Sequence, residues 1–327
     1  MTAPFAWRRG GLVLAWGSVA GSIVLAPFLS GAPAWVLGAP WIVSAVALGL
    51  PHGAADPVVP FVMRGGRLQV GPLAAFCVAY LALGALVLGL WWIAPAAAAV
   101  GFVALTWAHW GQGDLYALRG LGWDAHLAST SQRVLAAAVH GALPMLVPLA
   151  AFPEVYADVV GAMVAALRPD RVGAAQALVR SVPTAAVWAG LAGLIGVYAA
   201  WGALVAWRRD AWASWALDFG EIAGLTAFFA LVPPLWSVGV YFCLWHALRH
   251  LARLAPLVAG GSARRLALYA TPGTLGAVAL IAWVFADAFR GTVDGVGAYL
   301  VGIAALTVPH VAVVLWMDHR QRVWTAP

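Results

Sequence analysis

Long apolar runs dominate this chain of 327 residues and restrict what it can fold into. A helix needs about 20 mainly apolar residues to cross a bilayer. Only 9% of the residues are charged, against roughly 25% in soluble domains. The chain is therefore predicted to be all-α, a polytopic transmembrane helical bundle forming one integral-membrane domain over residues 1–327. Ten spans are predicted, at residues 11–30, 33–50, 71–91, 93–110, 133–151, 184–206, 214–233, 237–255, 270–289 and 297–317.

The placement of arginine predicts how these spans are oriented. Lys and Arg number 18 against 12 Asp and Glu, a balance that would suggest nucleic acid in a soluble protein. Here the arginines cluster in short connections, where they indicate topology and contact with lipid headgroups, so no nucleic-acid partner is expected. Their alternation predicts cytoplasmic termini, and residues 152–183, on the predicted outer side, are expected to form an interfacial helix. The clusters are Arg8 and Arg9, Arg64 and Arg67, Arg119 and Arg133, Arg208 and Arg209, Arg253, Arg264 and Arg265, and Arg320 and Arg322.

Two histidines four residues apart, His246 and His250, lie within the eighth predicted span. Residues at that spacing share one face of a helix, so both imidazoles can reach one metal ion. Ionisable side chains inside spans are costly, so their recurrence at one depth predicts a functional site. Four more histidines fall at a compatible depth in the predicted cytoplasmic half: His52, His109, His140 and His310.

A cluster of imidazoles predicts a metal site. Neutral imidazole is a good ligand for iron, zinc, copper and nickel. A non-haem Fe(2+) site with open positions would bind O₂, but zinc fits the same ligands, and spacing does not choose between the two metals. Cys77 and Cys243 lie inside apolar runs, which argues against a disulfide framework and against a thiolate site.

Carboxylates near the histidines are candidates for orienting the ligands. Asp56 follows His52 by four residues and Asp114 follows His109 by five, so each either hydrogen-bonds a ligand imidazole or caps a loop. Glu221, inside the seventh span, needs a buried partner.

Several other polar residues have more than one interpretation. Arg249 is expected to reach Glu221 or Asp56, or to extend to the membrane interface. His140 and His310 are each a further ligand, a hydrogen-bonding group behind the ligands, or a core histidine. His126 and His319 are expected to be solvated.

Four motifs resemble the signatures of the Brp/Blh family of bacterial and archaeal membrane β-carotene 15,15′-dioxygenases. The resemblance covers roughly residues 45–320. Where many relatives have His-Phe-Gly, this chain has Trp110 in the middle position. Because an aromatic residue is kept, this difference is expected to alter the shape of the pocket rather than the reaction. The motifs are Gly-Leu-Pro-His-Gly-Ala-Ala-Asp (49–56), His-Trp-Gly-Gln-Gly-Asp (109–114), Tyr-Phe-Cys-Leu-Trp-His-Ala-Leu-Arg-His (241–250) and Pro-His (309–310).

The resemblance implies a multi-pass enzyme of a bacterial or archaeal cell membrane that uses Fe(2+) and O₂ to split the central double bond of β-carotene into two molecules of retinal. Iron would be held by His52, His109, His246 and His250. The implied partners are the carotenoid, O₂ and membrane lipid, with a possible functional link to a retinal-binding rhodopsin. An apolar tunnel would position the polyene, with candidate walls Trp107, Trp110, Trp236, Tyr241, Phe242 and Trp245.

The sequence leaves three other functions open. A metal-ion or proton transporter would also have intramembrane histidines, but it should carry polar residues through the full membrane depth, and the predicted outer halves are nearly free of them. A di-iron desaturase or hydroxylase would need more histidine boxes than the single analogue present here. A non-catalytic partner that delivers retinal to a rhodopsin should have lost ligands, and none of the four is missing.

Overall fold

The computed structural model describes residues 8–66 and 68–325, and every regular element in these ranges is helical. This confirms the all-α prediction. Arg67 and the termini, on which part of the orientation prediction rests, lie outside the described residues. The α-helices are α1 (Arg8–Leu29), α2 (Ala34–Leu37), α3 (Ala39–Val46), α4 (Gly49–Ala54), α5 (Val59–Met63), α6 (Val70–Ile93), α7 (Pro95–Leu121), α8 (Thr130–Ala151), α9 (Pro153–Ala165), α10 (Val172–Arg180), α11 (Thr184–Arg209), α12 (Trp212–Leu231), α13 (Pro234–Val240), α14 (Leu248–Val258), α15 (Ala263–Val284) and α16 (Thr292–Gln321).

Seven helical stretches among the described residues are long and apolar enough to cross a membrane. They are Gly11–Leu29, Ala34–Met63, Val70–Ile93, Thr130–Ala151, Thr184–Arg209, Ala263–Val284 and Thr292–Gln321. The other three predicted runs, 93–110, 214–233 and 237–255, are helical as well but are not among the seven. They hold many of the buried polar side chains described below. The structure is therefore a helical bundle with seven candidate membrane spans, and the count of ten is not confirmed.

The predicted second span, 33–50, is not one helix. Four short helices, α2 to α5, cover residues 34–63 instead. Proline removes a backbone donor and clashes with the preceding turn, and this stretch contains Pro40, Pro51, Pro57 and Pro60. His52 therefore lies on the six-residue helix α4, enclosed by the bundle, and not at the end of a long span.

The predicted interfacial helix over 152–183 is also wrong in detail. Two helices, α9 and α10, fill this segment, joined by a 3₁₀ turn at Pro169–Arg171. Helix α9 packs along α16 and contributes Val159 and Met163 to an internal cavity. The segment is thus part of the bundle wall.

The bundle has a clear inside and outside. In α8, 67% of the most apolar stretch is buried, and in α16 the figure is 56%. The corresponding figures are 6% for α6 and 17% for α15, which therefore face the surroundings. A bilayer would solvate these apolar outer faces, since water would not.

Helices α7 and α8 approach each other closely because two glycines face the partner backbone. A β-carbon built at Gly111 would lie 1.8 Å from the carbonyl oxygen of Ala137, and one at Gly141 would lie 1.9 Å from that of Trp107. Small residues at such contacts allow membrane helices to pack backbone to backbone. This contact fixes the position of His109, which lies on α7 two residues before Gly111.

Candidate metal centre

Five histidines from five different elements converge inside the bundle. His52 lies on α4, His109 on α7, His246 on the π-helical segment Tyr241–Ala247, His250 on α14 and His310 on α16. Each is at most 7% exposed. One ring nitrogen from each of His52, His109 and His246 lies within 4.8 Å of the others, near enough to share one ion.

Four of these imidazoles form a closed ring of neighbours. Going around it, the ring centroids are 5.4 Å apart for His52 and His246, 4.9 Å for His246 and His109, 4.9 Å for His109 and His310, and 4.8 Å for His310 and His52. Each adjacent pair meets edge to face, at 73–88°. His250 stands beside this ring, 5.4 Å from His52 and 5.3 Å from His310. The side chains thus surround a common space.

The π-helical segment separates the two members of the His246/His250 pair. A π turn makes wider, i to i+5, hydrogen bonds and occurs frequently at functional sites. His246 is turned towards His52 and His109, whereas His250 is turned towards His52 and His310. The pair therefore approaches His52 from two sides.

Glycines within the motifs leave room for the cluster. A β-carbon at Gly53 would lie 3.4 Å from Nδ1 of His310, and one at Gly113 would lie 3.2 Å from Cε1 of His246. A side chain at Gly113 would therefore press on the His246 ring, whereas one at Gly53 would make ordinary contact with His310.

Several imidazole nitrogens of the cluster make no hydrogen bond to another described residue. Nε2 of His109, His246, His250 and His310 is buried and makes no hydrogen bond, and neither does Nδ1 of His109. Leaving a buried donor or acceptor unpaired costs about 1–3 kcal/mol each, so several in one place require an explanation. A bound transition-metal ion would satisfy one nitrogen of each ring, and imidazole donors fit Fe, Zn or Cu.

Asp56 bonds an imidazole, which is one of its two expected roles. Its Oδ2 lies 2.7 Å from Nδ1 of His310 on α16. The neighbouring His52 instead donates from Nδ1 to the carbonyl oxygen of Gly49, one turn earlier on α4. The hydroxyl of Tyr80 donates to the same Asp56 oxygen at 3.1 Å. The imidazole that Asp56 bonds is that of His310 because the short helix α4 turns the carboxylate towards α16.

Asp114 holds the π-helical segment and does not bond His109. Its carboxylate accepts hydrogen bonds from Tyr241 at 2.9 Å, Trp245 at 3.1 Å and Arg249 at 3.0 Å. Arg249 also donates to Glu221 at 2.6 Å, which confirms the expected Arg249–Glu221 pair. The alternative pairing with Asp56 is wrong. This group of ion pairs and hydrogen bonds fixes the back of the helix that presents His246.

His140 belongs to a second buried group, centred on Asp218 of α12. Nε2 of His140 lies 2.7 Å from Oδ1 of Asp218, and Nε2 of His126 lies 2.9 Å from Oδ2. The hydroxyl of Tyr198 also donates to Asp218. His126 is fully buried, so its predicted solvation is wrong, while His319 is exposed. The signal for Asp218 was present in the sequence, as an aspartate inside an apolar run three residues before Glu221.

A cavity of about 510 Å³ adjoins the cluster. His52, His109, His246 and His310 line it, His250 does not, and most of the other lining side chains are apolar. Of the six aromatic residues expected as tunnel walls, Trp110 and Phe242 line the cavity; the other four are Trp107, Trp236, Tyr241 and Trp245.

The four aromatic residues outside the cavity are held elsewhere by hydrogen bonds. Tyr241 and Trp245 donate to Asp114 on the opposite side of the π-helical segment. Trp107 donates to the carbonyl of Ala138, and Trp236 donates to Ser22. Their predicted place in the tunnel wall is therefore wrong.

The fold and the cluster define a class, that of membrane-type helical proteins in which imidazoles from separate helices surround a space beside an apolar cavity. The family model described as Beta-carotene 15,15'-dioxygenase matches residues 43–318, which include all five clustered histidines. The chain belongs to the β-carotene 15,15′-dioxygenase family.

Curated relatives agree with that assignment. A protein of Halobacterium salinarum named "Probable beta-carotene 15,15'-dioxygenase Blh" is 39% identical, over 96% of this chain and 94% of the relative. Another, named "Probable beta-carotene 15,15'-dioxygenase Brp", is 28% identical over 88% and 85%. A "Beta-carotene 15,15'-dioxygenase" from uncultured marine bacterium 66A03 is 22% identical over 85% and 94%. No solved structure matches the chain.

Proposed function

We propose that this protein is an Fe(2+)-dependent oxygenase that cleaves the central double bond of β-carotene, or a related carotenoid, to two molecules of retinal. His52, His109, His246 and His250 would hold the iron. The observation that carries the proposal is the set of buried, unpartnered imidazole nitrogens bordering an apolar cavity. Family membership supplies the substrate class.

The reaction balances without a proton from the protein. The double bond between the two central carbons is broken completely. Each of these carbons receives one oxygen atom of O₂, so two aldehydes form. Bound iron would supply the activation of O₂, for which non-haem iron is suited. The contribution of the chain is to hold the ligands and to present one double bond to them.

The cavity supports selection of one bond by position. Trp110 lies over His246, with ring centroids 5.6 Å apart, and Phe242 lies 5.6 Å from His52. Flat aromatic faces beside the cluster would confine a flat conjugated chain. Polar groups are otherwise few along the lining, which suits a hydrocarbon that carries no group for hydrogen bonding.

We further propose the finer topology that the arginines predict. The helices carrying His109, Asp218 and His246 would also cross the membrane, giving ten spans in a single integral-membrane domain, with the metal site in the cytoplasmic half and both termini cytoplasmic. The protein would be multi-pass in a bacterial or archaeal cell membrane, and its retinal would serve a rhodopsin. Reporter fusions at each connection test the orientation, and an outside reporter signal at residues 122–129 would reject it.

A histidine-lined proton or metal-ion transporter is the second candidate. One observation favours it, namely the row of buried polar groups that runs from Asp114 through His140 to Asp218 and His126. Transport by reconstituted vesicles without any carotenoid would support it. The chain retains all four motif histidines, which speaks against a non-catalytic partner that only delivers retinal.

Expression in carotene-producing bacteria tests the proposed activity. Cells with the wild-type chain should lose their orange colour and accumulate retinal, and cells with His246→Ala should keep the colour. Iron and zinc analysis of the purified protein decides between the two metals. Orange cells without retinal, despite wild-type protein in the membrane, would reject the proposed function.

A further inference from the structure

His310 is not one of the four predicted ligands, but unlike His140 it lies within the histidine cluster. It lines the cavity and completes the ring of neighbouring imidazoles, 4.8 Å from His52 and 4.9 Å from His109 between centroids. Its Nε2 is buried and unpartnered. His140 also pairs with a carboxylate, but it neither lines the cavity nor adjoins a ring of the cluster among the described contacts.

The other side of the His310 ring is fixed. Nδ1 lies 2.7 Å from Asp56, and the Asp56 carboxylate is itself held by Tyr80. Metal-ligating histidines almost always donate their second ring N–H to a carboxylate, carbonyl or water, which sets the tautomer and leaves the first nitrogen free for the ion. The ring packs against Gly53, where a β-carbon would lie 3.4 Å from Nδ1. The arrangement is that of a ligand, with a carboxylate behind it.

We propose that His310 is a direct metal ligand, through Nε2, and that Asp56 and Tyr80 are positioning residues that hold its ring. This inference rests on the metal of the proposed function. The three residues come from α16, a turn after α4 and α6, so metal binding would tie the outward-facing helix α6 to the centre of the bundle.

Cobalt(2+) is the probe for this proposal, because its visible absorption reports ligand number and type. The full-length metal-free protein in detergent is titrated with Co(2+) alone. We expect His310→Ala to bind at least about 10-fold more weakly and to give a changed visible spectrum, and added imidazole to restore both, since the position opens to the cavity. Asp56→Asn should bind about 10-fold more weakly with a wild-type spectrum, in the range measured for groups behind ligands.

His126→Ala is the matched control. His126 is also buried and bonded to a carboxylate, but it lies in the Asp218 group, so its Co(2+) affinity and spectrum should equal those of the wild type. If His310→Ala fails to fold, His310→Gln supplies the same spectral comparison. A wild-type spectrum and affinity in the folded His310 variant would overturn the proposal and leave the proposed function standing. A wild-type chain that binds no Co(2+) and makes no retinal would instead reject the proposed function.

A separate observation concerns how the cavity meets the outside. Four residues both line it and are exposed, namely Leu81 on α6 and Gly273, Gly276 and Leu280 on α15. Leu81 is 52% exposed and Leu280 is 41% exposed. Helix α6 packs along α16 and α7, and α15 packs along α4, with no extended contact between α6 and α15 in the described ranges.

We infer that the gap between α6 and α15 is a lateral portal through which the carotenoid passes between the bilayer and the cluster. Its sides are apolar, and α6 and α15 are the least buried of the candidate spans. The occupant is a hydrocarbon dissolved in the membrane, because a path lined by leucine and glycine gives no hydrogen bonds to a water-soluble compound. This inference also rests on the proposed function.

Gly276 is the position at which the portal can be closed. A β-carbon there would have no atom within 4 Å, so a large side chain enters open space. We expect Gly276→Phe to lower retinal formation from vesicle-embedded β-carotene at least about 5-fold with unchanged Co(2+) binding, and Gly276→Ala to have little effect. Gly190→Phe on α11 is the control, since Gly190 is exposed, is surrounded by open space and lies away from the cavity lining. Equal turnover in folded Gly276→Phe and Gly190→Phe would overturn the portal, whereas wild-type protein without retinal formation would count against the proposed function.

Discussion

Two groups of buried histidines in this molecule have similar chemistry and different surroundings. In the first, around His52 and His246, the rings lie against one another and four of them border a cavity, and His246 has an unpartnered Nε2. In the second, His126 and His140 each bond to Asp218 through Nε2, and neither lines the cavity, although Nδ1 of each is also buried without a hydrogen bond. The difference teaches that burial, residue type and an unpartnered nitrogen do not by themselves mark a candidate metal ligand. Neighbouring imidazoles and access to a cavity do.

Removing a histidine of the first group should have the largest effect. We expect His246→Ala to weaken metal binding strongly and to reduce retinal formation by more than the roughly 100-fold seen when groups behind metal ligands are lost. Its thermal stability without metal should fall only modestly, because the lost packing of the His246 ring on Trp110 and Phe242 is partly offset by removal of an unpartnered nitrogen. Metal content and retinal yield check the first two expectations, and a melting curve of metal-free protein checks the third.

The second group should respond in the opposite way. Asp218→Ala leaves His126, His140 and Tyr198 without their shared acceptor, at a cost of about 1–3 kcal/mol for each buried group. We expect a clearly lower melting temperature and a wild-type amount of metal per folded molecule. Loss of metal at unchanged stability would place Asp218 in the metal site and break the comparison.

Asp114 lies between the two groups and should give an intermediate result. It anchors Tyr241 and Trp245 on the π-helical segment that presents His246, and Arg249 on the adjoining helix α14. Nδ1 of His140 lies 3.7 Å from it. Asp114→Asn keeps the shape but weakens the ion pair with Arg249. We expect metal affinity to fall by less than about tenfold together with a modest drop in stability, measured by Co(2+) titration and thermal unfolding of the same preparation. An unchanged affinity would mean that the two groups are independent.

Trp110→Phe should have the smallest effect and should be confined to substrate. Trp110 lines the cavity and packs on His246 without bonding to it. A smaller aromatic ring keeps the apolar wall and enlarges the space, so we expect unchanged metal binding and a change of at most about tenfold in kcat/KM. The effect is measured by comparing the KM for β-carotene and the yield of off-centre cleavage products between the wild type and Trp110→Phe. A loss of metal would show that Trp110 supports the ligands.

The sequence predicts much of the first group and little of the second. Spacing and depth bring His52, His109, His246 and His250 together because each histidine stands out in an apolar helix. The hydrogen bond between Asp56 and His310 joins residues 254 positions apart. It depends on the orientation of the short helix α4, which the proline-rich sequence around it does not specify. His126 was expected in a solvated connection, because a lone histidine between helices gives no sign that Asp218 will cover it.

The ten predicted spans include three that are not among the seven long apolar stretches. Hydropathy identifies helices that face lipid, such as α6, more readily than helices that carry the polar groups of the site. The helices bearing His109, Asp218 and His246 are absent from the seven stretches, since buried polar side chains or breaks in the helix interrupt their apolar runs. Functional helices are thus the hardest to count from composition.

X-ray absorption at the iron edge of the purified chain loaded with Fe(2+) tests most directly whether imidazoles from separate helices share one ion. We predict a first shell of nitrogen and oxygen atoms with the outer-shell scattering of at least four imidazoles, reduced in His246→Ala and unchanged in His126→Ala. An iron spectrum without imidazole scattering, or one identical in wild type and His246→Ala, would contradict it.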